Sequence, residues 1–241
     1  TGRPGIYRKS ARVWSQMTDH QRREAAACYY ASITEIDQQF GRILARVEEA
    51  GQMDNTLVVL TSDHGELLGA HGMYCKNFSA YEEIYNIPLI MTGPGMAEGV
   101  TTSARVGSHD LCPTLLDLAG CATIENEDSR SFAPVLQDPQ THETAYTTGY
   151  AEYFGGRMIL TQRIVWDGPW KFVFNGFDFD ELYNLEDDPG EMNNLAEQAD
   201  YTDQLRAMTA LMWQKIEATG DHSLAGSNYP PLRVAPYGPG G

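Results

Sequence analysis

The ten residues Thr56-Leu-Val-Val-Leu-Thr-Ser-Asp-His-Gly65 constrain the fold more than any other stretch of this chain. The continuous apolar run Leu57–Leu60 predicts a strand buried on both faces. Its end carries a carboxylate, an imidazole and a glycine, and open α/β sheets do their chemistry at the carboxyl edge of a strand. Asp63 offers a hard oxygen and His64 a borderline nitrogen, a mixture that many divalent ions accept. Asp-His-Gly alone is a weak signal, because a turn Asp and a surface His before a glycine arise often by chance. Lys76, farther along the same loop, strengthens it. An ammonium beside a metal-bound ester neutralises charge on the ester oxygens and on the leaving group as the bond breaks.

The flanking segments fit an α/β rhythm. Thr18-Asp-His-Gln21 has the pattern of a capping box, and the apolar stripe Tyr29, Ile33, Ile36, Phe40, Ile43, Val47 has helical spacing. Gly51 ends that helix, one face of which is expected to pack on a sheet. Residues 1–17 carry no regular pattern and are expected to be irregular. After the strand, residues 64–86 form a long loop with a short helical piece near Ala80–Tyr85. Loops of that length inside a domain are often functional. Within it His71, in Gly69-Ala-His-Gly72, is a candidate to orient a ligand or act as a general acid, with a loop-stabilising hydrogen bond as the competing role. Glu66 reads as a helix N-terminal acid, with support of a ligand from behind as its other role, and Tyr74, Cys75 and Asn77 as candidates for a pocket rim. Pro88–Met91 is a second buried strand, and Asp110–Ala119 a helix closed by Gly120.

The character changes near residue 125. Short strand-like runs at Ala145–Tyr150, Met158–Trp166 and Trp170–Phe174, with turns at Gly155-Gly156 and Asp167-Gly-Pro169, predict a small antiparallel sheet. An amphipathic helix over 202–219 presents Leu205, Met208, Leu211, Met212 and Ile216 on one face, and the Gly- and Pro-rich tail from Asp221 is expected to be extended. The expected division is 1–125 for an α/β core, 126–220 for a C-terminal subdomain and 221–241 for the tail. The acidic runs Asp178-Phe-Asp-Glu181 and Glu186-Asp-Asp-Pro189 lack the spacing of a calcium loop and read as turn acids.

A net charge of −16, from 17 basic and 33 acidic residues, argues against a nucleic-acid partner, which needs a basic face. No apolar run approaches the ~20 residues of a membrane helix. Cys28, Cys75, Cys112 and Cys121 form no CxxC pair. Across a helix, Cys112 and Cys121 would stand about 13 Å apart, too far for a disulfide. All four are expected to be free thiols, most of them buried, with no sign of an oxidising compartment. The opening Thr1-Gly-Arg-Pro-Gly5 suggests a cut inside a longer protein, which leaves the compartment open between periplasmic, extracellular and cytoplasmic.

Taken in order, these segments resemble the sulfatase family of the alkaline-phosphatase superfamily. The matching stretches are Tyr30–Asp37 with Gly41-Arg42, Asp54–Glu66, Gly69–Gly72, Lys76, Ile87–Ile90, Asp110–Gly120, Glu181–Leu185, Asp188-Pro and Glu191–Leu195, over roughly residues 25–215. The resemblance implies part of an alkaline-phosphatase-like mixed sheet flanked by helices, followed by a small antiparallel sheet with a packed helix. It implies that Asp63 and His64 complete a divalent-metal site, calcium in most sulfatases, and that Lys76 contacts the sulfate and its bridging oxygen. Because His stands at 64, manganese or zinc and a phosphonate or phosphodiester substrate remain alternatives. The family's nucleophile motif, C/S-x-P-x-R, does not occur in this sequence, and Cys112-Pro-Thr-Leu does not match it. The family's N-terminal pair of metal-binding Asp residues has no match either. The chain therefore resembles the C-terminal half of a sulfatase acting on a sulfate-ester small molecule or carbohydrate. By itself it is expected to be inactive and to bind metal weakly, and a non-catalytic sulfatase-like module is the other reading. The oligomeric state is left open.

Overall fold

The computed structural model describes residues 2–76, 78–122, 124, 128–155, 160–221, 223 and 237–238. They form two units, one of residues 6–98 and one of residues 1–5 with 99–241.

The unit of residues 6–98 begins with α1 (Gly5–Trp14), which corrects the expectation of an irregular start. Tyr7, Ala11 and Trp14 recur at helical spacing, and Tyr7 and Trp14 meet the rings of Tyr81 and Tyr74 in the loop that follows the first strand. Gly5, Arg8, Lys9, Ser10 and Arg12 interrupt the stripe with charge and small groups, which hid a period of only two turns. Helix α2 (Asp19–Glu49) starts on the expected capping box. The Gln21 amide donates to the Thr18 hydroxyl, and the Thr18 amide donates to the Gln21 side chain at 2.9 Å. Gly51, at φ +66°, takes the chain out of the helix.

Strand β1 (Val58–Thr61) pairs antiparallel with β2 (Leu89–Thr92), in the register Val58–Thr92 to Thr61–Leu89. The helix-like piece between them is the single turn α3 (Glu82–Tyr85). β1 is half-buried, not buried on both faces, because among the described residues its ladder has one partner strand. The stripe of α2 is also corrected: none of its residues is buried, and Ile36 is 66% exposed. The buried side chains of this unit lie elsewhere, at Tyr7, Leu67, Met73, Ala80, Tyr81 and Ile84.

The other unit contains α4 (Leu111–Leu118), α5 (Ala133–Gln137), α6 (Pro139–His142), and strands β3 (Thr148–Tyr153), β4 (Gln162–Asp167), β5 (Trp170–Asn175) and β6 (Glu181–Asn184). The four strands form one antiparallel meander in sequence order, as short strands joined by tight turns favour. Met158 and Gly156, placed by the sequence in this region, lie outside the described residues. Helix α7 (Thr202–Ala218) lays Leu205, Met208, Met212 and Ile216 on Val165, Phe172, Phe174 and Leu182. The alternate residues of β4 to β6 are also buried, and among Ile164, Trp166 and Val173 they include a polar cluster. Gln162 donates to Asn175 at 2.7 Å, Asn175 donates to Glu181 at 2.8 Å, and Tyr183 donates to Glu181 at 2.8 Å. Lys171 pairs with Glu191 at 2.8 Å, both side chains fully enclosed. Such a network stands only because its members satisfy one another. Of the tail, Asp221, Ser223, Tyr237 and Gly238 are described, and Trp213 donates to the Tyr237 carbonyl at 2.7 Å. The acidic runs serve as turn acids: the Asp180 carboxylate accepts from the Asn175 amide at 3.1 Å, and the Asp188 carboxylate accepts from the Met192 and Asn193 amides.

All four cysteines are free, as expected, but exposed where most were expected to be buried. Cys28 lies on α2, whose surface is open, and Cys75 on a loop. Their small apolar side chains gave no means to tell a core position from a solvent one.

Candidate functional site

The loop after β1 is built from tight local contacts. The Ser62 hydroxyl donates to the His64 carbonyl at 2.8 Å, and the His64 amide donates to the Asp63 carboxylate at 2.9 Å. Together they turn the chain so that two consecutive residues, which a strand would send to opposite faces, converge. Gly65 follows because nothing larger fits. Its amide donates to the Ile84 carbonyl at 2.9 Å, and a Cβ there would stand 1.9 Å from the Glu83 carbonyl oxygen. The end of the first strand is thus pinned to α3.

Beyond Gly65 the backbone enters the left-handed region at Leu68, Gly69, His71, Gly72 and Cys75. For the three non-glycine residues this costs about 1–3 kcal/mol each, which the surroundings must offset. Two supports are visible. Glu66 extends its carboxylate across the loop and accepts from the amides of Leu68 at 3.1 Å and Cys75 at 2.6 Å. Its role is therefore a staple, and not the helix N-terminal acid expected from sequence. The second support is α1: Trp14 meets Tyr74 with ring centroids 5.3 Å apart, Tyr7 meets Tyr81 at 5.5 Å, and the Tyr7 hydroxyl accepts from the Ala80 amide at 3.2 Å.

On this frame three of the four anticipated side chains meet. His64 Nδ1 lies 2.9 Å from the Gly65 carbonyl, its Nε2 lies 3.0 Å from Lys76 Nζ, and Asp63 Oδ2 is 3.5 Å from the same Nε2. A carbonyl only accepts and an ammonium only donates. The neutral ring therefore carries its proton on Nδ1 and presents the Nε2 lone pair to Lys76. That tautomer makes Nε2 the nitrogen through which this ring could ligate a metal. Where the Lys76 ammonium gives up that lone pair, Nε2 and the neighbouring Asp63 carboxylate fit two positions of a divalent-cation shell. Among the described residues no cluster of three or more His, Cys, Asp and Glu side chains is assembled, so this chain offers a pair of ligands. Asp63 is open to solvent and His64 partly so.

His71, the fourth candidate, sits differently. Its side chain is 1% exposed, its ring lies parallel to Tyr81 at 3.6 Å, and its Nε2 is 3.6 Å from the Glu83 carboxylate. Tyr81 and Glu83 were not singled out in sequence, and no short-range pattern could have found them, because the contact spans a loop. Of the three rim candidates, Asn77 lies outside the described residues, and Tyr74 packs on Trp14. Burial, and then the negative charge of Glu66, push the Cys75 thiol up, which keeps it protonated and a poor nucleophile at neutral pH.

The family described as N-sulphoglucosamine sulphohydrolase, C-terminal, matches residues 69–218, and the Sulfatase family matches residues 4–121. The chain belongs to the sulfatase family. It is similar to an N-acetylglucosamine-6-O-sulfatase of Bacteroides thetaiotaomicron, 32% identical over 76% of this chain and 34% of that protein. Among solved structures it is similar to a protein in complex with its substrate D-glucosamine-2-N,6-O-disulfate, 29% identical with a TM-score of 0.74 over 86% of this chain and 42% of that one. It is also similar to the phosphonate monoester hydrolase of Silicibacter pomeroyi, 29% identical with a TM-score of 0.68 over 80% of this chain and 40% of that one. The chain spans about a third of the length of the curated relatives it matches. Sulfatases as a family depend on a divalent metal, and the fit of Asp63 and His64 to one is that described above.

Proposed function

We propose that the protein to which this chain contributes hydrolyses sulfate esters of sugars, with Asp63 and His64 as metal ligands and Lys76 as the sulfate-contacting cation. The observation that carries this reading is the convergence of the Lys76 ammonium and the Asp63 carboxylate on one ring nitrogen of His64. Asp63 and His64 would hold a divalent cation, calcium first with manganese or zinc as alternatives, and that ion would supply polarisation of the ester oxygens. Lys76 offers three N–H donors to oxygens on which negative charge grows as the S–O bond breaks. Glu66 and α1 hold the loop that carries Lys76, so the ammonium is placed before substrate arrives. A sugar ester is favoured by the two relatives named for glucosamine derivatives. The division of the chain at 125/126 is kept as a proposal: the Sulfatase match ends at residue 121, whereas the two compact units divide at 98/99.

The test is Lys76→Ala in the complete enzyme. Turnover of a 6-sulfated glucosamine should fall about 100- to 1000-fold, the scale of losing one charge-stabilising donor. Thermal stability should hold, because Lys76 is exposed. Unchanged kcat sinks the assigned role. A phosphonate monoester is the second reading, supported by the structural likeness to the Silicibacter enzyme. Aryl sulfate and aryl phosphonate assayed side by side, with metal analysis of the enzyme, decide between them. The 241-residue chain alone, which lacks C/S-x-P-x-R, should show no sulfatase turnover.

A further inference from the structure

Three properties of His71 do not belong to an ordinary loop residue. The side chain is a nearly fully enclosed imidazole, its backbone is left-handed at φ +54°, and its ring lies flat on Tyr81, 3.6 Å between centroids and 5° between planes. A strained conformation held by a buried ring is a reason to ask what the ring fixes.

Its contacts lead to one place. Tyr81 is the residue from which α3 starts: its carbonyl accepts from the amides of Ile84 at 2.9 Å and Tyr85 at 3.2 Å. Glu83, whose carboxylate faces His71 Nε2 at 3.6 Å, is in the same turn. The backbone of that turn holds Gly65, through the Ile84 carbonyl and through the Glu83 carbonyl, which lies where a Gly65 Cβ would be. The Gly65 carbonyl in turn takes the Nδ1 proton of His64. His71 grips α3 from the far side of the loop by a ring face and a ring edge, and α3 sets the carbonyl that sets the tautomer.

We propose that His71 is a positioning residue: through Tyr81, Glu83 and Gly65 it holds His64 in the form whose Nε2 lone pair faces Lys76. His71 itself donates nothing to the reacting atoms in this scheme. The scheme rests on the sulfatase reading only in taking His64 as a ligand. The cost of holding His71 left-handed is then met by a fixed ligand orientation, of the kind that outer partners of metal-binding histidines provide.

The test uses the 241-residue chain and reads His64 directly. Asn tolerates the left-handed region, so His71→Asn removes the ring stack and the Glu83 contact while leaving the backbone accessible. In ring-15N spectra at a single neutral pH, wild-type His64 should give two widely separated nitrogen shifts, with the proton on Nδ1. In folded His71→Asn, those shifts should move toward the average of two exchanging tautomers. Manganese(II), titrated as the probe, should broaden the His64 signals in the wild type and require about tenfold more metal in the variant. Unchanged His64 shifts in a folded His71→Asn chain overturn the proposal. Where His71→Asn melts this unit by circular dichroism, Glu83→Gln, which keeps the ring stack and the backbone carbonyl, replaces it with the same two outcomes. If the tautomer shifts but manganese broadens neither protein, the positioning role stands and the metal reading of Asp63 and His64 fails.

Discussion

Helices α7 and α2 carry comparable apolar stripes at helical spacing, and they meet different surroundings. In α7, Leu205, Met208, Met212 and Ile216 are between 0% and 8% exposed, enclosed against four side chains of β4, β5 and β6. In α2, Tyr29, Ile33, Ile36 and Ile43 are 39–66% exposed. Periodicity reports which face of a helix is apolar, and it says nothing of what covers that face. Fully burying a large aliphatic or aromatic side chain is worth about 1.5–3 kcal/mol, so stability in this chain should be concentrated where α7 meets its sheet. The contrast can be broken by mutation at either helix.

The largest effect is expected in the enclosed layer. Phe172 is 0% exposed and packs within the α7 contact. Phe172→Ala should cost about 3–5 kcal/mol, since it leaves a cavity as well as losing apolar burial. Urea unfolding followed by the fluorescence of Trp166, Trp170 and Trp213 measures it. A loss below about 1 kcal/mol would mean that this layer is not the stable part of the molecule.

A smaller effect is expected at the edge of the same layer. Arg163 is fully enclosed and pairs with Asp221 at 2.5 Å, while Ser223 donates to the Asp221 carboxylate. Burial pushes the Asp221 carboxyl up, but the Ser223 donors and Arg163 outweigh it and hold the group below its ordinary value. The sign follows from that depression. Asp221 contributes stability at pH values above the unfolded carboxyl pKa of about 3.9, and the contribution is lost as pH falls through the lower folded value. Asp221→Asn should cost about 1.5–3 kcal/mol at neutral pH, the worth of a charge-assisted hydrogen bond. The penalty should shrink as wild type and variant are compared at progressively lower pH below 3.9. An equal penalty at every pH would remove the ion pair from the account.

What was legible in the sequence was local. Thr18 and Gln21 are three residues apart, and their reciprocal hydrogen bonds need no other part of the chain. The exit from β1 into Asp63-His64-Gly65 was visible because a strand followed by a polar turn has a short signature. Lys76 was visible through its place in an ordered set of family motifs, and the structure brings it to His64 across a 12-residue separation. The stack of His71 on Tyr81 was not legible, nor was the reach of Glu66 to the Cys75 amide, because both depend on how the loop closes over α1. The solvent exposure of the cysteines and of the α2 stripe was missed for a related reason. Apolar character is a property of the residue, whereas burial is a property of what the fold brings against it.

The smallest expected effect is at Ile36, and it tests the open side of the contrast. Ile36 is 66% exposed in the middle of the α2 stripe, in a shallow apolar groove formed with Phe40 and Ile43. Glutamine is slightly the better helix former, and at an exposed position there is little burial to lose. Ile36→Gln should therefore change the stability of the 241-residue chain by less than about 0.5 kcal/mol. The measurement is a pair of denaturant curves at two protein concentrations. A destabilisation above about 1 kcal/mol that grows with concentration would mean that copies of the chain cover the stripe for one another in solution. A null result at both concentrations leaves the stripe uncovered and places the stability of this chain where α7 meets its sheet.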